Sequence, residues 1–379
     1  MSTLITYPLT VRVLAALFVA LLISLVATPP VKKFAQRVGA IDVPKDNRRV
    51  HKVPIPRLGG LAIFIGFVIS VVLFAEISRE LQGILIGSVI IVSVGVADDI
   101  VPLRAWQKFL VQIVAALSPA LHGVVIELIS NPNVLSDYAY LNLGYFVIPL
   151  TVLWIVGITN AVNLIDGLDG LAVGVSTISS LTMLVVALLI TADVNVALVL
   201  AALAGACLGF MPYNLNPAKI FMGDTGALLL GYLLATMSIM GLFKSYAIIS
   251  FAVPFIALAL PILDTVFAIL RRVAKGQSPM SPDRGHLHHR LLDYGFSQKQ
   301  AVFIIYLISG FLGMIAVIMT SSGQVRVIFT AITFVAVAAM ILVVTRGTLL
   351  KPRNGKEKPQ PEGQEIEGQI EMENDNESS

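Results

Sequence analysis

Eleven apolar stretches follow one another along this chain of 379 residues, and they leave few ways for it to fold. Each has about 15 to 25 residues, enough to cross a hydrocarbon layer about 30 Å thick as a helix. The chain is 56% hydrophobic and only 13% charged, unlike a soluble globular domain. The sequence therefore predicts an all-α polytopic membrane protein. The stretches cover residues 9–27, 58–76, 82–97, 108–126, 144–160, 169–190, 195–211, 225–241, 246–270, 301–319 and 325–345.

Basic residues set the predicted orientation. Segment 29–57 holds eight Lys and Arg residues, which the positive-inside rule places in the cytoplasm, with the N-terminus outside. Eleven spans put the C-terminus in the cytoplasm. Ten spans is the alternative, because the third and fifth stretches are marginal. With eleven spans, the basic residues that face outward are Arg12, Arg79, Lys244 and Arg326.

Most loops between the stretches are short, so residues 1–345 are expected to form one multi-pass transmembrane domain. Residues 346–379 are rich in Glu, Gln, Asn, Pro and Ser, and we expect a disordered acidic cytoplasmic tail. The single cysteine, Cys207, excludes an intrachain disulfide and a cysteine-rich zinc site. A cleaved signal peptide is the alternative for the first stretch, but the basic segment after it would resist translocation.

Six polar side chains interrupt the lipid-like sequence in three clusters, at the ends of stretches on the predicted cytoplasmic side. They are Asp98 and Asp99, then Asn163, Asp166 and Asp169, then Asp224. An acid near hydrocarbon costs roughly 2.5 to 3.5 kcal/mol at a helix centre, so acids that share one face suggest a site that holds a cation. Oxygen ligands of this kind suit magnesium.

Each cluster also has a plainer interpretation. Asp98 and Asp99 could form a solvated loop corner, although acids at a helix C-terminus oppose the helix dipole by about 0.3 to 1 kcal/mol. Asp166 or Asp169 could cap the sixth stretch, and Asp224 could cap the eighth. Capping needs one oxygen, whereas the middle cluster offers an amide and two acids, which a spacing of three residues places on one side of a helix.

Two further polar segments lie at the same predicted edge. Asn214, Asn216 and Lys219 share a loop suited to a nucleotide or a pyrophosphate. Segment 278–290 reads SPMSPDRGHLHHR, and we interpret it as a cationic loop that grips the phosphates of a sugar nucleotide. A zinc site and a surface loop with incidental histidines are the alternatives. The candidate residues of this segment are His286, His288, His289 and Arg290.

Two positions remain open between interpretations. The basic residues ahead of the second stretch most simply anchor the chain to anionic lipid, while Lys52 or Arg57 in contact with a substrate phosphate is the alternative. Asp264 lies within the ninth stretch, where an acid is costly. It either touches substrate or pairs with Arg271 or another base.

Four separated motifs occur in order between the stretches: DDIVPLRAWQK, NAVNLIDGLDGLAVG, PAKIFMGDTGALLLG and HLHHR. Together they resemble the polyprenyl-phosphate N-acetylhexosamine-1-phosphate transferases of glycosyltransferase family 4, over roughly residues 10–345. They look most like the bacterial undecaprenyl-phosphate N-acetylglucosaminyl-1-phosphate transferases that start the synthesis of teichoic acid and related cell-surface polymers. The resemblance implies that a lipid phosphate attacks the β-phosphorus of a UDP-sugar, giving a lipid pyrophosphoryl sugar and UMP.

The resemblance also implies a cofactor and roles for site residues. Mg²⁺, or Mn²⁺ in its place, would be held by Asp224 and Asn163. In the muramoyl branch a lysine follows the acidic pair by three places; here that place is Pro102, and Lys108 is the candidate replacement. Catalytic roles fall to Asp98, Asp99 and Asp166, and substrate binding falls to Asp169, Asn214, Phe221, Lys108, His286, His288, His289 and Arg290.

The expected partners are UDP-N-acetylglucosamine, undecaprenyl phosphate and the surrounding membrane lipid, with no nucleic acid; a homodimer is among the expected assemblies. The active site would face the cytoplasm at the plasma membrane. Phospho-N-acetylmuramoyl-pentapeptide transferase is the alternative, but HLHHR resembles the N-acetylhexosamine branch. An ion-coupled transporter is the alternative of another class. It predicts acids near the bilayer midplane in two related halves, whereas these acids lie at stretch ends and we find no internal repeat.

Overall fold

Helices make up most of the computed structural model, which describes residues 8–43, 54–130, 140–190, 193–243, 255–277 and 285–333. Two short antiparallel pairs join β1 (Ile41–Asp42) to β2 (Ile55–Pro56), and β3 (Leu128–Ser130) to β4 (Tyr140–Asn142). A 3₁₀ turn, Gly144–Phe146, precedes the fifth helix, and a π-helical turn, Ile239–Phe243, extends the eighth. The helices are α1 (Leu9–Arg37), α2 (Gly60–Phe74), α3 (Arg79–Ile100), α4 (Ala105–Leu121), α5 (Val147–Ile165), α6 (Leu171–Ile190), α7 (Val194–Asn214), α8 (Gly223–Ser238), α9 (Ala259–Ala274), α10 (Leu287–Asp293) and α11 (Gln298–Thr320).

Seven helices within the described ranges are long and apolar enough to cross a membrane. They are α1, α3, α5 with its 3₁₀ turn, α6, α7, α8 with its π turn, and α11. The helices α2, α4 and α9 are shorter, with 15, 17 and 16 residues. The protein is thus a polytopic membrane protein, as predicted. The count of eleven spans and the orientation of the termini stay predictions.

Each of the first ten predicted stretches overlaps one helix that is longer than one turn. The ninth is described only from residue 255 onward, so its first part lies outside the described residues. The eleventh is described up to residue 333, and the predicted tail, 346–379, lies outside as well. The predicted division at residue 345 therefore stays a prediction.

Helices α7 and α8 form the centre of the helical unit. In the 18-residue apolar segment of each, 78% and 89% of the residues are buried. The first packs against α1 and α6, and the second against α3 and α5. Small residues permit this approach, as transmembrane helix interfaces generally require. A Cβ added at Gly205 or Gly209 would lie 2.1 or 2.2 Å from the carbonyl oxygen of Leu17 or Leu21 on α1.

The start of α8 is fixed by the segment that leads into α2. The Phe221 amide donates to the carbonyl of Pro56 at 2.8 Å, and Gly59 and Gly60 donate back to residues 221 and 222 at 3.0 and 2.9 Å. The two backbones then touch, because a Cβ on Gly60 would lie 2.1 Å from the Gly226 amide nitrogen. This pairing holds the loop that carries two candidate site residues, Phe221 and Asp224.

Candidate functional site

A cavity of about 390 Å³ lies where α3 and α5 end and where α6 and α8 begin. We call it the polar cavity. It brings together residues from all four motifs, which are widely separated along the chain. The predicted site residues that line it are Asp99, Asn163, Asp166, Asp169, Asn214, Phe221, Asp224 and His289.

Asp99 caps α8 from another helix. Its buried carboxylate accepts hydrogen bonds from the backbone N–H groups of Asp224 and Thr225, both at 3.0 Å, and from the Thr225 hydroxyl at 2.6 Å. The first amides of a helix lack partners within the helix, and an acid there also suits the helix dipole. The N-cap position itself is Met222, so Asp224 does not cap α8, and its carboxylate is available for other contacts.

Lys108 joins the first and third acidic motifs. Its ammonium group lies 3.0 Å from Asp98 Oδ2 and 2.8 Å from Asp224 Oδ2. Asp98 Oδ1 also accepts from the Leu103 amide at 2.6 Å, and Asn163 Nδ2 lies 3.4 Å from Asp224 Oδ1. Position 102 is proline, and Lys108, the proposed replacement for the lysine of the muramoyl branch, contacts both acids.

Asp166 follows the last residue of α5 and faces the polar cavity. Burial is the main cause that raises the pKa of its carboxyl group to about 8, and the charges of Asp224, Asp99 and Asp169 raise it further. Acids this close disfavour a shared negative charge unless a cation neutralises them. The cavity thus groups carboxyl groups whose joint ionisation a bound cation would favour.

The far wall of the polar cavity is a hydrogen-bonded frame. Asp169 Oδ2 accepts from Asn216 Nδ2 at 2.9 Å and from the Ala218 amide at 3.0 Å. Asn214 is buried and joins two backbones, accepting from the Gly170 amide at 3.2 Å and donating to the Ile220 carbonyl at 3.1 Å. Asn214 therefore ties the loop after α7 to the start of α6.

The histidine segment, residues 285–293, closes the other side. His288 is buried against Gly167, because a Cβ on that glycine would lie 2.3 Å from His288 Nε2. Its ring stacks on that of His286 at a centroid distance of 5.8 Å, and it is tilted by 43° to that of His289 at 4.3 Å. Burial, followed by the charge of His289, lowers the pKa of His288 to about 4, so the ring is neutral at pH 7.

A second cavity of about 810 Å³ runs between α4, α5 and α9, and we call it the apolar groove. Its walls are mainly hydrophobic and include Phe109, Ile113, Val152 and Val156. Its polar end holds Lys108, Asn163, Gly167, Arg272, His286, His288 and His289. The apolar groove and the polar cavity share Asn163, Gly167 and His289.

Arg290 is not among the described residues that line either of these cavities. It lines a third cavity of about 670 Å³, between α9, α10 and α11, together with Asp264 and Arg271. For Asp264 the sequence left two roles open, contact with substrate or pairing with a base. In the structure it pairs with His286 rather than with Arg271, and the distance from Asp264 Oδ2 to His286 Nδ1 is 2.8 Å.

Several residues that line the cavities were not predicted from the sequence. Asp42 and Gln298 line the polar cavity, while Gln112 pairs with Asn160 in the groove, where Asn160 Nδ2 donates to Gln112 Oε1 at 2.6 Å. A polar residue within an apolar stretch was the signal available for this pair. Arg57, the minority phosphate candidate, lines the polar cavity, and its Nε donates to the Asp99 carbonyl at 3.2 Å.

The fit of the site to a divalent ion rests on its donor set. Within the part of the chain that the structure describes, no three His, Cys, Asp or Glu side chains are grouped so as to hold a metal by themselves. Magnesium in phosphate-transferring sites keeps several waters and takes one or two carboxylates plus substrate phosphates, so such a cage is not required. Oxygen donors from Asp224 and Asn163, beside the crowded acids, fit this pattern.

Comparison with known proteins agrees with this geometry. Residues 81–242 match glycosyl transferase family 4. A probable undecaprenyl-phosphate N-acetylglucosaminyl 1-phosphate transferase of Bacillus subtilis (strain 168) is 44% identical over 337 residues, which cover 87% of this chain and 92% of the relative. A decaprenyl-phosphate N-acetylglucosaminephosphotransferase of Mycobacterium tuberculosis (strain ATCC 25618 / H37Rv) is 36% identical over 363 residues, 86% of this chain and 88% of the relative.

A phospho-N-acetylmuramoyl-pentapeptide-transferase of Desulfitobacterium hafniense (strain DSM 10664 / DCB-2) is 32% identical over 341 residues, which cover 83% of this chain and 99% of the relative. The family match includes the three acidic motifs and ends before the histidine segment. The chain therefore belongs to glycosyl transferase family 4, as the resemblance of its four motifs implied.

Proposed function

We propose that this protein transfers N-acetylglucosamine 1-phosphate from UDP-N-acetylglucosamine to undecaprenyl phosphate. An oxygen of the lipid phosphate attacks the β-phosphorus of the UDP-sugar, the bond from that phosphorus to the bridging oxygen breaks, and UMP leaves. The product is a lipid pyrophosphoryl sugar. The similarity to the Bacillus subtilis and Mycobacterium tuberculosis relatives supports this choice of substrates.

The observation that carries the proposal is that a charged cavity and an apolar groove share three residues. A reaction between a water-soluble nucleotide sugar and a membrane lipid needs two such compartments with a common wall. Asn163, Gly167 and His289 form that wall. The small Gly167 leaves the wall thin, because a side chain at this position would occupy the place of the His288 ring.

The polar cavity is the proposed compartment for the UDP-sugar. Asp169 and Asn214 belong to a rigid, hydrogen-bonded frame there, and Phe221 offers an aromatic face beside them. A nucleotide base requires this combination of fixed polar groups and a flat apolar surface. His289 supplies a donor at the junction, where the pyrophosphate would lie.

Asp224 and Asn163 are the proposed ligands of Mg²⁺, and Mn²⁺ would bind the same oxygen donors. When bound, the ion would neutralise charge on the pyrophosphate and help to orient it. Asp99 contributes by holding Asp224 at the start of α8 through the two backbone N–H groups. Asp166 lies at the cavity wall with a raised pKa, and a bound cation would favour the ionised form of its carboxyl group.

The apolar groove is the proposed compartment for the polyprenyl chain. Its phosphate would lie at the polar end, where Lys108 and Arg272 provide positive charge. A phosphate monoester is already an anion, so the site chiefly needs to position it and to neutralise charge. Lys108 is held between Asp98 and Asp224, which places its ammonium group beside the proposed metal ligand. Asp98 is the candidate base or nucleophile of this group.

The cytoplasmic face is the proposed location of the site, because the eight basic residues of segment 29–57 favour that side and the UDP-sugar is soluble. The plasma membrane would then hold the enzyme, residues 1–345 would form its catalytic domain, and the product would start a cell-envelope polymer such as teichoic acid. A homodimer stays an expectation.

The test is UMP release by purified protein supplied with UDP-N-acetylglucosamine and undecaprenyl phosphate. We expect release only when both the lipid and a divalent cation are present, and the mass of the lipid product identifies the transferred sugar. A product carrying the muramoyl pentapeptide, formed in preference when both donors are offered, would contradict the choice of donor. Absence of lipid-dependent UMP release would contradict the transferase function and leave the transporter alternative.

A further inference from the structure

We propose that Asp264 is a positioning residue that fixes the histidine segment so that His289 faces the junction of the polar cavity and the apolar groove. The proposal deepens the proposed transferase function and rests on it, because His289 would there contact substrate. Asp264 is not among the described residues that line either compartment; it lines the third cavity, on the opposite side of the segment.

Both oxygens of Asp264 bind the beginning of the histidine segment. Oδ2 lies 2.8 Å from His286 Nδ1, and Oδ1 accepts the Leu287 backbone N–H at 2.8 Å. The side chains of Asp264 and His286 are only 8% and 6% exposed, so water competes little for these bonds. The carboxylate therefore fixes both a side chain and the first amide of α10.

The segment needs such an anchor because α10 has only seven residues. A helix this short is not stable by itself in water, so contacts with neighbouring elements must hold it. A second contact lies on the same face of α9, two turns beyond Asp264. There the Arg271 guanidinium packs on the Gly285 backbone, where an added Cβ would lie 2.3 Å from the Arg271 side chain.

Ring contacts carry the position of His286 to the site. The ring of His288 lies nearly parallel to that of His286, with an interplanar angle of 9°, and packs on Gly167. The His289 ring contacts His288 at a centroid distance of 4.3 Å. If the His286 ring were displaced, the rings of His288 and His289 would lose their packing partner on the α9 side. His289 would then no longer be held at the junction.

A double-mutant cycle tests whether Asp264 acts through His289. We expect Asp264→Ala to lower kcat/KM for UMP release by about 10- to 100-fold, the effect typical of groups that orient a functional histidine. In the His289→Ala background the same change should cost less than about twofold. Losses that multiply in the double variant, or a wild-type rate in Asp264→Ala, would overturn the proposal.

A measurement independent of activity guards against simple misfolding. Diethyl pyrocarbonate modifies neutral imidazoles that solvent reaches, and His288 is 3% exposed. We expect His288 to react at least about fivefold faster in Asp264→Asn, which keeps the shape of the side chain but not its charge, as measured by peptide mass spectrometry. The control is Asp293→Asn, the same charge change at the exposed end of α10, and it should react like the wild type.

Equal labelling rates in Asp264→Asn and wild type would also overturn the proposal. The two experiments separate its failure from that of the transferase function. A wild-type protein that releases no UMP would contradict the transferase, whereas the labelling rate would still show whether Asp264 holds the histidine segment.

Discussion

The polar cavity and the apolar groove differ in the charged side chains that line them: acids in the cavity, and basic residues at the polar end of the groove. Five carboxylates line the cavity: Asp42, Asp99, Asp166, Asp169 and Asp224. No acid is among the described residues that line the groove, and its polar end carries Lys108, Arg272 and three histidines. The two compartments are therefore suited to different partners: a cation with the pyrophosphate that it neutralises in the cavity, and the phosphate of the lipid at the end of the groove. Their shared wall is where the two partners would approach each other.

The largest effect should come from the acidic side of this comparison. Asp224→Asn removes the charge that pairs with Lys108 at 2.8 Å and the proposed metal ligand. We expect UMP release to fall about 10³-fold, because charge stabilisation supplies most of the catalysis in phosphoryl transfer. Asp193→Asn is the matched control, since Asp193 caps α7 and asparagine caps equally well. Near-normal activity of Asp224→Asn would count heavily against the metal assignment.

His288, which packs on Gly167 of the shared wall, should give a pH-dependent effect on stability. In the unfolded chain His288 takes up a proton below about pH 6.5, but in the folded protein its pKa is about 4, chiefly because of burial. Between these values the unfolded state binds more protons, so stability falls as pH falls. The folded protein should lose on the order of 3 kcal/mol relative to a variant that does not titrate.

Thermal unfolding of the detergent-purified protein at pH 7.5 and pH 4 measures this loss. The midpoint of the wild type should drop more than that of His288→Gln. Parallel curves for the two proteins would show that His288 does not carry the proton linkage.

The next effect distinguishes the two neighbouring acids of the first motif. In Asp99→Asn a single oxygen remains to accept three donors, namely two amides of α8 and the Thr225 hydroxyl. We expect about 1 to 3 kcal/mol of lost stability, together with a weaker apparent affinity for the divalent ion. Thr225→Ser keeps the hydroxyl and should lose only the contribution of one buried methyl group, about 0.8 kcal/mol. Unchanged stability in Asp99→Asn would refute the capping role.

The smallest effect probes the groove alone. Gly157 lines it, and a Cβ there would meet nothing within 4 Å, so the side chain in Gly157→Leu would project into the groove. We expect KM for undecaprenyl phosphate to rise about tenfold while KM for the UDP-sugar stays constant. Gly310→Leu, at an equally open glycine on α11, is the control. A change in the KM of the nucleotide sugar instead would place the lipid elsewhere.

Much of this arrangement could be predicted from local sequence signals. Hydrophobic runs locate helices because only a helix satisfies its backbone in lipid, and acids at the ends of these runs locate the site. Lys108 was proposed from the family resemblance, as the replacement for the lysine absent at position 102, and it does contact Asp98. The division of the histidine segment was not predicted: His289 faces the cavity, whereas Arg290 faces away.

The parts that could not be predicted depend on contacts between distant residues. Asp99 and Thr225 are 126 positions apart, so no local rule identifies one as the cap of the helix that begins near the other. The plainer interpretation assigned that cap to Asp224, which was wrong, because Asp99 already occupies the amides. The pairing of Asp264 with His286 has the same origin, since packing of α9 on the histidine segment decides which base lies nearest.

The groove wall includes Phe109 and Leu153, which are 42% and 67% exposed on the outer surface of their helices. The polar cavity, in contrast, is lined by charged groups. For the proposed reaction this means separate exits. The nucleotide would depart into water, and the lengthened lipid would slide laterally into the leaflet without its tail ever becoming wet. A molecule of one product that stays bound would then not block the departure of the other product.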